Sequence, residues 1–341
     1  MTIHVGLIGA GNIGHTHARA TKAISGAVVA AAYGTNAEKV KRLCVEHGGV
    51  PYDNFDAFLR HRPMEMVIIG SPSGLHAEQG MAAARQGLHV LVEKPLEINT
   101  TRADAFIAEC QKAGVKLGVI FQDRLKPDIR RLKLLLAAKA LGNPLLVEAR
   151  VKWYRPPEYY AGSRWRGTWA LDGGGALMNQ GSHTVDLLLW LLGDVVRVQA
   201  RTATAFHAIE TEDTATAILE FSSGALATLL ATTAAYPGYQ RRVEITGSEG
   251  TVVLEHDRLI VADLRTQKEN LISAEITDQN ASSSSPVVSD VRGHQMVIQD
   301  FIRAIQEDGR PVCDGVEGRR SVALIQAIYE AAGKKLTSDS R

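Results

Sequence analysis

The segment that decides the fold of the first half of the chain is IHVGLIGAGNIG, residues Ile3–Gly14. It opens with an apolar run and then fits the pattern G-x-G-x-x-G at Gly9, Gly11 and Gly14. A glycine pattern of this kind between a strand and a helix is typical of a dinucleotide-binding βαβ unit. We expect Gly9 to permit a tight turn, Gly11 to let a pyrophosphate approach the backbone, and Gly14 to let helix and strand pack closely.

The alternation of short apolar runs and amphipathic stretches continues through the first 120 residues. Predicted strands lie at 3–8, 28–33, 66–70, 89–92 and 115–121, and predicted helices at 13–24, 37–47, 76–86 and 102–113. Nearly continuous apolar strands separated by helices predict a parallel sheet that is covered on both faces. We therefore predict an α/β chain that begins with a doubly wound Rossmann domain over residues 1–124.

The sequence pattern changes after residue 124. From residue 195 to about 263, short runs with β-branched residues alternate with turn signals, which predicts a mostly antiparallel sheet. A helical pattern covers 175–192, and two amphipathic helices close the chain within 294–335. We predict a second, α+β domain over 125–341 with an open sheet. One apolar face of that sheet would need a cover, so we expect a homo-oligomer, either a dimer or a tetramer.

Composition narrows the class of partner. The 341 residues carry 38 basic and 37 acidic side chains, for a net charge of +1, which gives no electrostatic reason to expect nucleic acid or an anionic membrane. The N-terminus resembles a strand more than a signal peptide, and no segment reaches the ~18 apolar residues that span a bilayer. Three widely spaced cysteines favour reduced thiols and form no metal-type pair. We expect a cytoplasmic protein without a metal site that acts on a small polar molecule.

The end of the second predicted strand bears on the choice of cofactor. In NAD-binding units an acidic residue about 20 positions after the last glycine binds the ribose. Here the region reads YGTN at 33–36, with no carboxylate before Glu38. Nothing would then repel a 2′-phosphate, and Thr35, Asn36 and Lys39 could contact it, although Lys39 could equally be a solvated helix residue. We expect NAD(P) as the cofactor, with a lean toward NADP.

Two later clusters carry a family resemblance. Glu93–Pro95 reads EKP after a predicted strand, and Gly181–Asp186 reads GSHTVD, preceded by three glycines at Gly173–Gly175. Together with the glycine loop they resemble the Gfo/Idh/MocA oxidoreductases, which include glucose–fructose oxidoreductase and inositol dehydrogenase, over nearly the whole chain. The resemblance implies hydride transfer between a nicotinamide cofactor and a hydroxyl or ketone carbon of a sugar, glycoside or cyclic polyol.

The resemblance also implies roles for individual residues. Lys94 would contact the nicotinamide ribose and a substrate hydroxyl, and His183 would be the acid/base. Many members place an aspartate four residues before this histidine, whereas this chain has Asn179 there. On an α-helix, Asn179 and His183 would share one face, where Asn179 could hold a substrate hydroxyl but not exchange a proton. A positioned base is needed because the O–H proton must leave as the C=O bond forms, an effect worth ~10²–10⁴-fold.

The expected binding residues form two sets. The loop at 71–76, which matches the loop after the fourth strand in the family, and the residue after the last strand of the first domain are expected to border the cofactor, as in the family. The expected cofactor-binding residues are Gly9, Gly11, Asn12, Ile13, Gly14, Thr35, Lys39, Ser71, Pro72, His76, Glu93, Lys94 and Gln122. In the second set, aromatic and arginine side chains of 153–169 could stack on a sugar ring and bind its hydroxyls, although part of this stretch could instead pack in the core. The expected substrate-binding residues are Trp153, Tyr154, Arg155, Arg166 and Asn179.

Two other functions stay open from the sequence. Some relatives use bound NAD for a transient oxidation that drives glycoside cleavage, so an NAD-dependent glycosidase is one alternative. The other is a non-catalytic sensor of a sugar or a dinucleotide built on the same fold. Lys94 and His183 are both present, which argues against the sensor.

Overall fold

A six-stranded parallel sheet organises the first half of the chain in the computed structural model, which describes residues 2–266 and 291–334. Its strands are β1 (Ile3–Ile8), β2 (Ala27–Tyr33), β3 (Val50–Tyr52), β4 (Met66–Ile69), β5 (His89–Glu93) and β6 (Leu117–Ile120). The strand order is β3-β2-β1-β4-β5-β6, so the direction of winding reverses between β1 and β4. Ligands of such sheets bind beyond the carboxyl ends of the strands at this reversal. The predicted doubly wound parallel sheet is confirmed.

Five helices connect these strands: α1 (Asn12–Lys22), α2 (Ala37–His47), α3 (Phe55–Leu59), α4 (His76–Arg85) and α5 (Thr100–Lys112). Three of them begin at an asparagine whose side chain accepts a hydrogen bond from a backbone N–H three residues on, namely Asn36, Asn54 and Asn99. Such caps satisfy a donor that the helix itself cannot. The start of α1 has no side-chain cap, and its first backbone N–H groups are therefore left for a ligand.

The second sheet has seven strands. They are β7 (Pro144–Lys152), β8 (Val195–Ala203), β9 (Thr214–Phe221), β10 (Leu226–Thr232), β11 (Arg242–Gly247), β12 (Gly250–Glu255) and β13 (Arg258–Leu264). The order is β13-β12-β11-β7-β10-β9-β8, and every pair is antiparallel except β7 with β10. The open, mostly antiparallel sheet is confirmed. The sheet is mixed because β7, which lies at its centre between β10 and β11, runs parallel to β10.

The remaining helices are α6 (Pro127–Ala137), α7 (Pro157–Ala161), α8 (Ser182–Leu192), α9 (Arg292–Gln306) and α10 (Gly315–Ala331). One face of the second sheet packs on α8, in which Leu187, Leu188, Leu189 and Leu191 are buried. Val147, Leu219 and Leu229 point into this core, while their strand neighbours on the other face are exposed. The core therefore fixes α8, and with it His183 in the first turn of this helix. Within the described residues, no helix is long and apolar enough to cross a membrane.

The helical stretch before α8 differs from the prediction. Residues Ala176–Gly181 form a π-helix, in which backbone bonds span five residues, and the α-helix begins only at Ser182. The wider turn changes the rotation per residue between Asn179 and His183 from that of the α-helix on which the expected shared face was based. Segments of this kind are frequent at functional sites.

The described residues fall into two compact units, taken from 1–122 with 288–319 and from 123–287 with 320–341. The sequence-based division placed the boundary at 124/125 and both closing helices in the second domain. Instead, α9 belongs to the first unit, because it packs on α1, β5 and β6. Its amphipathic pattern showed that it covers an apolar surface, but not which one.

Candidate active site

The glycine loop of the first unit has the geometry of a dinucleotide cradle. Gly9 has a φ of +108°, and a Cβ there would lie 2.8 Å from the carbonyl oxygen of Gly70. A Cβ on Gly14 would overlap the carbonyl oxygen of Gly9, whereas a Cβ on Gly11 would meet no atom within 4 Å. The turn, the open approach and the close packing expected of the three glycines are therefore all present. Together with the uncapped N-terminus of α1, they fit the phosphates of a dinucleotide.

The end of β2 carries no carboxylate. Asn36 uses its side-chain oxygen to accept from the backbone N–H of Lys39 at 3.0 Å, so this amide serves as a helix cap. Thr35 and the Lys39 side chain are exposed. A Cβ on Gly34 would lie 3.0 Å from Val40 Cγ2, so a larger residue there has to displace a methyl group slightly.

Glu93, the first residue of the EKP motif, is held by two buried histidines. His17 Nε2 on α1 lies 2.9 Å from its Oε1, and His294 Nε2 on α9 lies 3.3 Å from the same oxygen. The backbone N–H of Lys94 donates to the other oxygen at 3.2 Å. Burial alone would raise the pKa of Glu93, but the hydrogen bonds from His17 and His294 hold it well below its usual range. Burial lowers the pKa of His17. An ionised carboxylate held by two buried histidines thus fixes the backbone at Lys94.

His76 ties the loop after β4 to the same motif. Its Nδ1 lies 2.9 Å from the carbonyl oxygen of Pro95, and its Nε2 lies 3.0 Å from that of Ser71. Burial lowers the pKa of this imidazole, and the neutral ring has one N–H for these two acceptors. The Ser71 hydroxyl donates to Gln79 at 2.6 Å. The His76 and Ser71 side chains, which were expected at the cofactor, are thus engaged by protein groups that shape the loop.

The other expected cofactor residues of the first unit also lie in the loops that follow its strands. Asn12 and Ile13 form the first turn of α1, Pro72 precedes a short 3₁₀ turn, Lys94 follows β5, and Gln122 follows β6. Lys94 and Gln122 are half-buried. The sequence predicted these positions from the resemblance, and the parallel sheet brings the loops to one edge because parallel strands end together.

In the second unit, His183 lies beside an ionic cluster made of the buried Asp123 and Arg241 and the half-buried Lys126 and Asp257. Asp123 Oδ2 is 3.7 Å from His183 Nδ1, 2.8 Å from an Arg241 nitrogen, and its other oxygen is 2.6 Å from Lys126 Nζ. Asp257 pairs with both cations. Burial alone would raise the pKa of Asp123, but Arg241 and Lys126 hold it well below its usual range. The sequence did not indicate Asp123, which follows Gln122 without any motif.

A second buried ion pair fastens this turn to α8. The Arg124 guanidinium contacts both carboxylate oxygens of Asp186, at 2.9 and 2.7 Å, and Ser321 lies 3.3 Å from one of them. Burial raises the pKa of Asp186. Asp186 lies three residues after His183 on the same helix. Because Arg124 is adjacent to Asp123, the pair also fixes Asp123 relative to the helix that carries His183.

Asn179 is held by hydrogen bonds within the second unit. Its Nδ2 donates to Asp172 Oδ1 at 2.7 Å, and its Oδ1 accepts from Gln180 Nε2 at 3.2 Å. The same Gln180 nitrogen is 3.2 Å from the Tyr159 hydroxyl, and its oxygen accepts from Arg155 at 3.0 Å. The amide of Asn179 is therefore orientated by a buried carboxylate that the sequence did not single out.

The aromatic and arginine residues divide into two groups. The Arg155 guanidinium lies 5.1 Å from the ring centre of Trp153 and 5.6 Å from that of Tyr159, and Arg166 lies 4.5 Å from Tyr159. Tyr154 is not part of this group. It packs instead on Phe206 and Tyr236, at ring distances of 6.3 and 5.2 Å. The structure thus brings together three of the four expected residues of this stretch around Tyr159, which the sequence did not indicate.

Glu212 caps the π-helix that leads to His183. Its carboxylate accepts from the backbone N–H groups of Gly175 at 3.0 Å and Leu177 at 2.8 Å, and from the Tyr329 hydroxyl at 2.9 Å. Burial raises the pKa of Glu212 to about 7. A Cβ on Gly175 would overlap the carbonyl oxygen of Glu212, so the glycine run is what allows this approach.

Comparison with known proteins agrees with this architecture. Residues 3–121 match the model of the GFO/IDH/MocA oxidoreductase family with its NAD-binding Rossmann fold, and residues 129–253 match the GFO/IDH/MocA C-terminal domain. The WlbA dehydrogenase from Bordetella pertussis, solved in complex with NADH and UDP-GlcNAcA, is 32% identical, with a TM-score of 0.87 over 98% of this chain and 97% of that one.

Two curated relatives act on small sugars or polyols according to their names. The myo-inositol 2-dehydrogenase of Thermotoga maritima is 27% identical over 98% of this chain and 97% of its own. The D-xylose 1-dehydrogenase (NADP(+)) 2 of Haloferax volcanii is 28% identical over 89% of each chain. Both family models together cover well over half of the sequence, and the resemblance seen in the motifs is confirmed. The chain belongs to the GFO/IDH/MocA family of NAD-binding oxidoreductases.

Proposed function

We propose that this oxidoreductase transfers a hydride between NAD(P) and a hydroxyl or ketone carbon of a sugar, glycoside or cyclic polyol. The observation that carries the proposal is His183, a half-buried imidazole fixed at the start of α8 beside an ionised carboxylate, in a chain whose glycine loop fits a dinucleotide. The named sugar and polyol dehydrogenases among the relatives support the substrate class.

The proposed roles follow from the chemistry of alcohol oxidation. The bound dinucleotide supplies the hydride acceptor, or the donor in the reverse direction. His183 takes the hydroxyl proton as the carbinol C–H electrons leave and the C=O bond forms. Lys94, whose backbone is fixed through Glu93, is proposed to contact the nicotinamide ribose and the substrate hydroxyl. Asn179 is proposed to hold a second hydroxyl, with Asp172 fixing its amide.

The arginine–aromatic group further favours a substrate with an anionic group. Arg166 lies over the Tyr159 and Trp165 rings, and its buried Nε has no hydrogen-bond partner among the residues that the structure describes. The Arg155 side chain is also buried, and burial lowers its pKa, so an anion nearby would stabilise its charge. The related WlbA dehydrogenase was solved with UDP-GlcNAcA, which supports a uronate or a similarly charged sugar here. The remaining proposed substrate contacts are Trp153 and Tyr154.

For the cofactor we propose a preference for NADP(H). No carboxylate follows β2, and Thr35 and Lys39 are exposed where a 2′-phosphate would lie in a unit of this kind. The other residues proposed to bind the cofactor are the separate positions expected from the sequence, of which Gly9 is the first and Gln122 the last.

We also propose that the outer face of the second sheet binds a second copy of the chain. Leu146, Ile218 and Leu226 are each at least half exposed there, and Leu226 lies directly beside Leu146 on the neighbouring strand. Apolar sheet residues of this size are normally covered. Light scattering at micromolar concentration should show a dimer or a tetramer, and a monomer would contradict the proposal. A cytoplasmic location stays a prediction from the sequence.

The test of the function is a two-step screen. Thermal unfolding with NAD(H) and NADP(H), each combined with neutral hexoses, inositols, uronates and nucleotide-linked uronates, should identify pairs that stabilise the protein. Hits are then assayed for net NAD(P)H formation at 340 nm. Net formation supports a dehydrogenase. Glycoside cleavage without net reduced cofactor would indicate a glycosidase, and stabilisation with no turnover across the panel would indicate a sensor.

A further inference from the structure

The ionic cluster of the second unit places a carboxylate next to the proposed acid/base. Asp123 Oδ2 is 3.7 Å from His183 Nδ1, and the His183 and Asp123 side chains are 16% and 6% exposed. The cluster has two carboxylates and two cations, so it is neutral as long as His183 is neutral. A proton added to His183 would lie beside the Asp123 carboxylate, which is 3.7 Å from Nδ1. An opposite charge at this distance favours the imidazolium.

An imidazole that accepts a proton needs a partner on its other nitrogen. That partner decides which nitrogen carries the hydrogen and how the ring is turned. Asn179 cannot supply a charge, and its amide is already bound to Asp172 and Gln180. Asp123 is a carboxylate that lies beside the His183 ring, 3.7 Å from Nδ1.

From this geometry we infer that Asp123 is a positioning residue for His183. Its carboxylate accepts from Nδ1–H, keeps the lone pair on Nε2, and stabilises the imidazolium that forms when Nε2 takes the substrate proton. The role of Asp123 in turnover rests on the proposed function, whereas its contact with His183 does not. A separation of 3.7 Å is that of an ion pair, and catalytic hydrogen bonds often shorten in the substrate complex.

The carboxylate is fixed from three sides. Arg241, ahead of β11, and Lys126, ahead of α6, bind its two oxygens, and the adjacent Arg124 is bound to Asp186 on α8 itself. Asp123 therefore moves with the helix that carries His183. A free aspartate would have to be ordered at an entropic cost, whereas this one is already in place.

The charged and titratable groups of the ionic cluster, and those paired with or next to its members, enter any pH measurement. They are Asp123, Arg124, Lys126, Asp186, Arg241, His256 and Asp257. Asp257 provides a matched control, because it shares both cations with Asp123 but makes no ion pair with His183 among those that the structure describes.

The experiment is a pH titration of ¹⁵N-histidine-labelled full-length protein by long-range ¹H–¹⁵N correlation NMR, with His183→Gln to assign the signals. It needs no substrate. We expect neutral His183 to carry its hydrogen on Nδ1 in the wild type. Asp123→Asn should lower the pKa of His183 by about one unit or more, since an opposite charge at this distance is removed, and should mix the two tautomers. Asp257→Asn should retain the Nδ1–H form and shift the pKa by less than half as much.

Three outcomes would overturn the inference: an Nε2–H tautomer in the wild type, an unchanged titration in Asp123→Asn, or equal changes in both variants. The wild-type tautomer of His183 tests the inference even if Asp123→Asn does not fold. If a substrate is found, Asp123→Asn should lower kcat by ~10–10²-fold, with the acid limb of the profile moved to lower pH and cofactor affinity unchanged. Absence of any substrate would count against the proposed function and leave the NMR result standing.

Discussion

Replacing Glu212 by glutamine should change how the stability of the second unit depends on pH. Burial raises the pKa of Glu212 from an ordinary 4.5 to about 7, so the folded state binds a proton more readily than the unfolded state between these values. Stability must then fall as the pH rises through this window, because the proton favours the folded state. At ~1.4 kcal/mol per pKa unit, the group loses about 3 kcal/mol of folding free energy between pH 4.5 and pH 7.5. Glutamine does not titrate and should not show this loss.

The second unit can be followed selectively, because it contains every tryptophan of the chain: Trp153, Trp165, Trp169 and Trp190. Urea unfolding monitored by tryptophan fluorescence gives the free energy of each protein at several pH values. The stability of the wild type relative to Glu212→Gln should fall by about 2.5 kcal/mol from pH 5 to pH 8. The exposed Glu210→Gln is the control, for which we expect little slope. A difference that is flat or rises with pH would mean that Gly175, Leu177 and Tyr329 keep the carboxylate ionised, contrary to the raised pKa.

Three further perturbations test other parts of the molecule. His294→Ala removes one hydrogen bond to the charged Glu93 and should cost ~1.5–3 kcal/mol, seen as a lower calorimetric Tm; an unchanged Tm would show that the contact contributes nothing. Gly34→Asp should shift the ratio of dissociation constants toward NAD(H) by ~10-fold or more through repulsion of the 2′-phosphate, and wild-type preference for NAD(H) would contradict the proposed cofactor. Arg166→Gln should raise KM for an anionic sugar by ~10–100-fold while leaving its neutral analogue nearly unchanged; equal effects on both would argue against an anionic group.

The sequence predicted the sheets because their signals are local. Apolar runs and turn residues mark most strands, and the glycine loop marks the switch point. It missed β3, which has three residues and contains Pro51, a residue that breaks the strand pattern but is tolerated at a sheet edge. The π-helix was also missed, since residue pattern alone does not distinguish bonds over four residues from bonds over five.

The candidate site was predictable only in part. Lys94 and His183 lie in motifs, so the family resemblance found them. Asp123, Glu212 and His294 lie in no motif, and their importance depends on partners far away in the chain that only the folded structure brings into contact. The same holds for α9, whose apolar face was recognisable although its packing on the first unit was not.

His183 is proposed to transfer the proton that accompanies hydride transfer. The direct measurement is the rate of net NAD(P)H formation at 340 nm, with the sugar and cofactor pair selected by the thermal screen, for wild type and His183→Ala. We expect a loss of ~10²-fold or more in kcat, with cofactor affinity measured by fluorescence titration almost unchanged. Near-normal turnover of His183→Ala would contradict it and move the base to another residue.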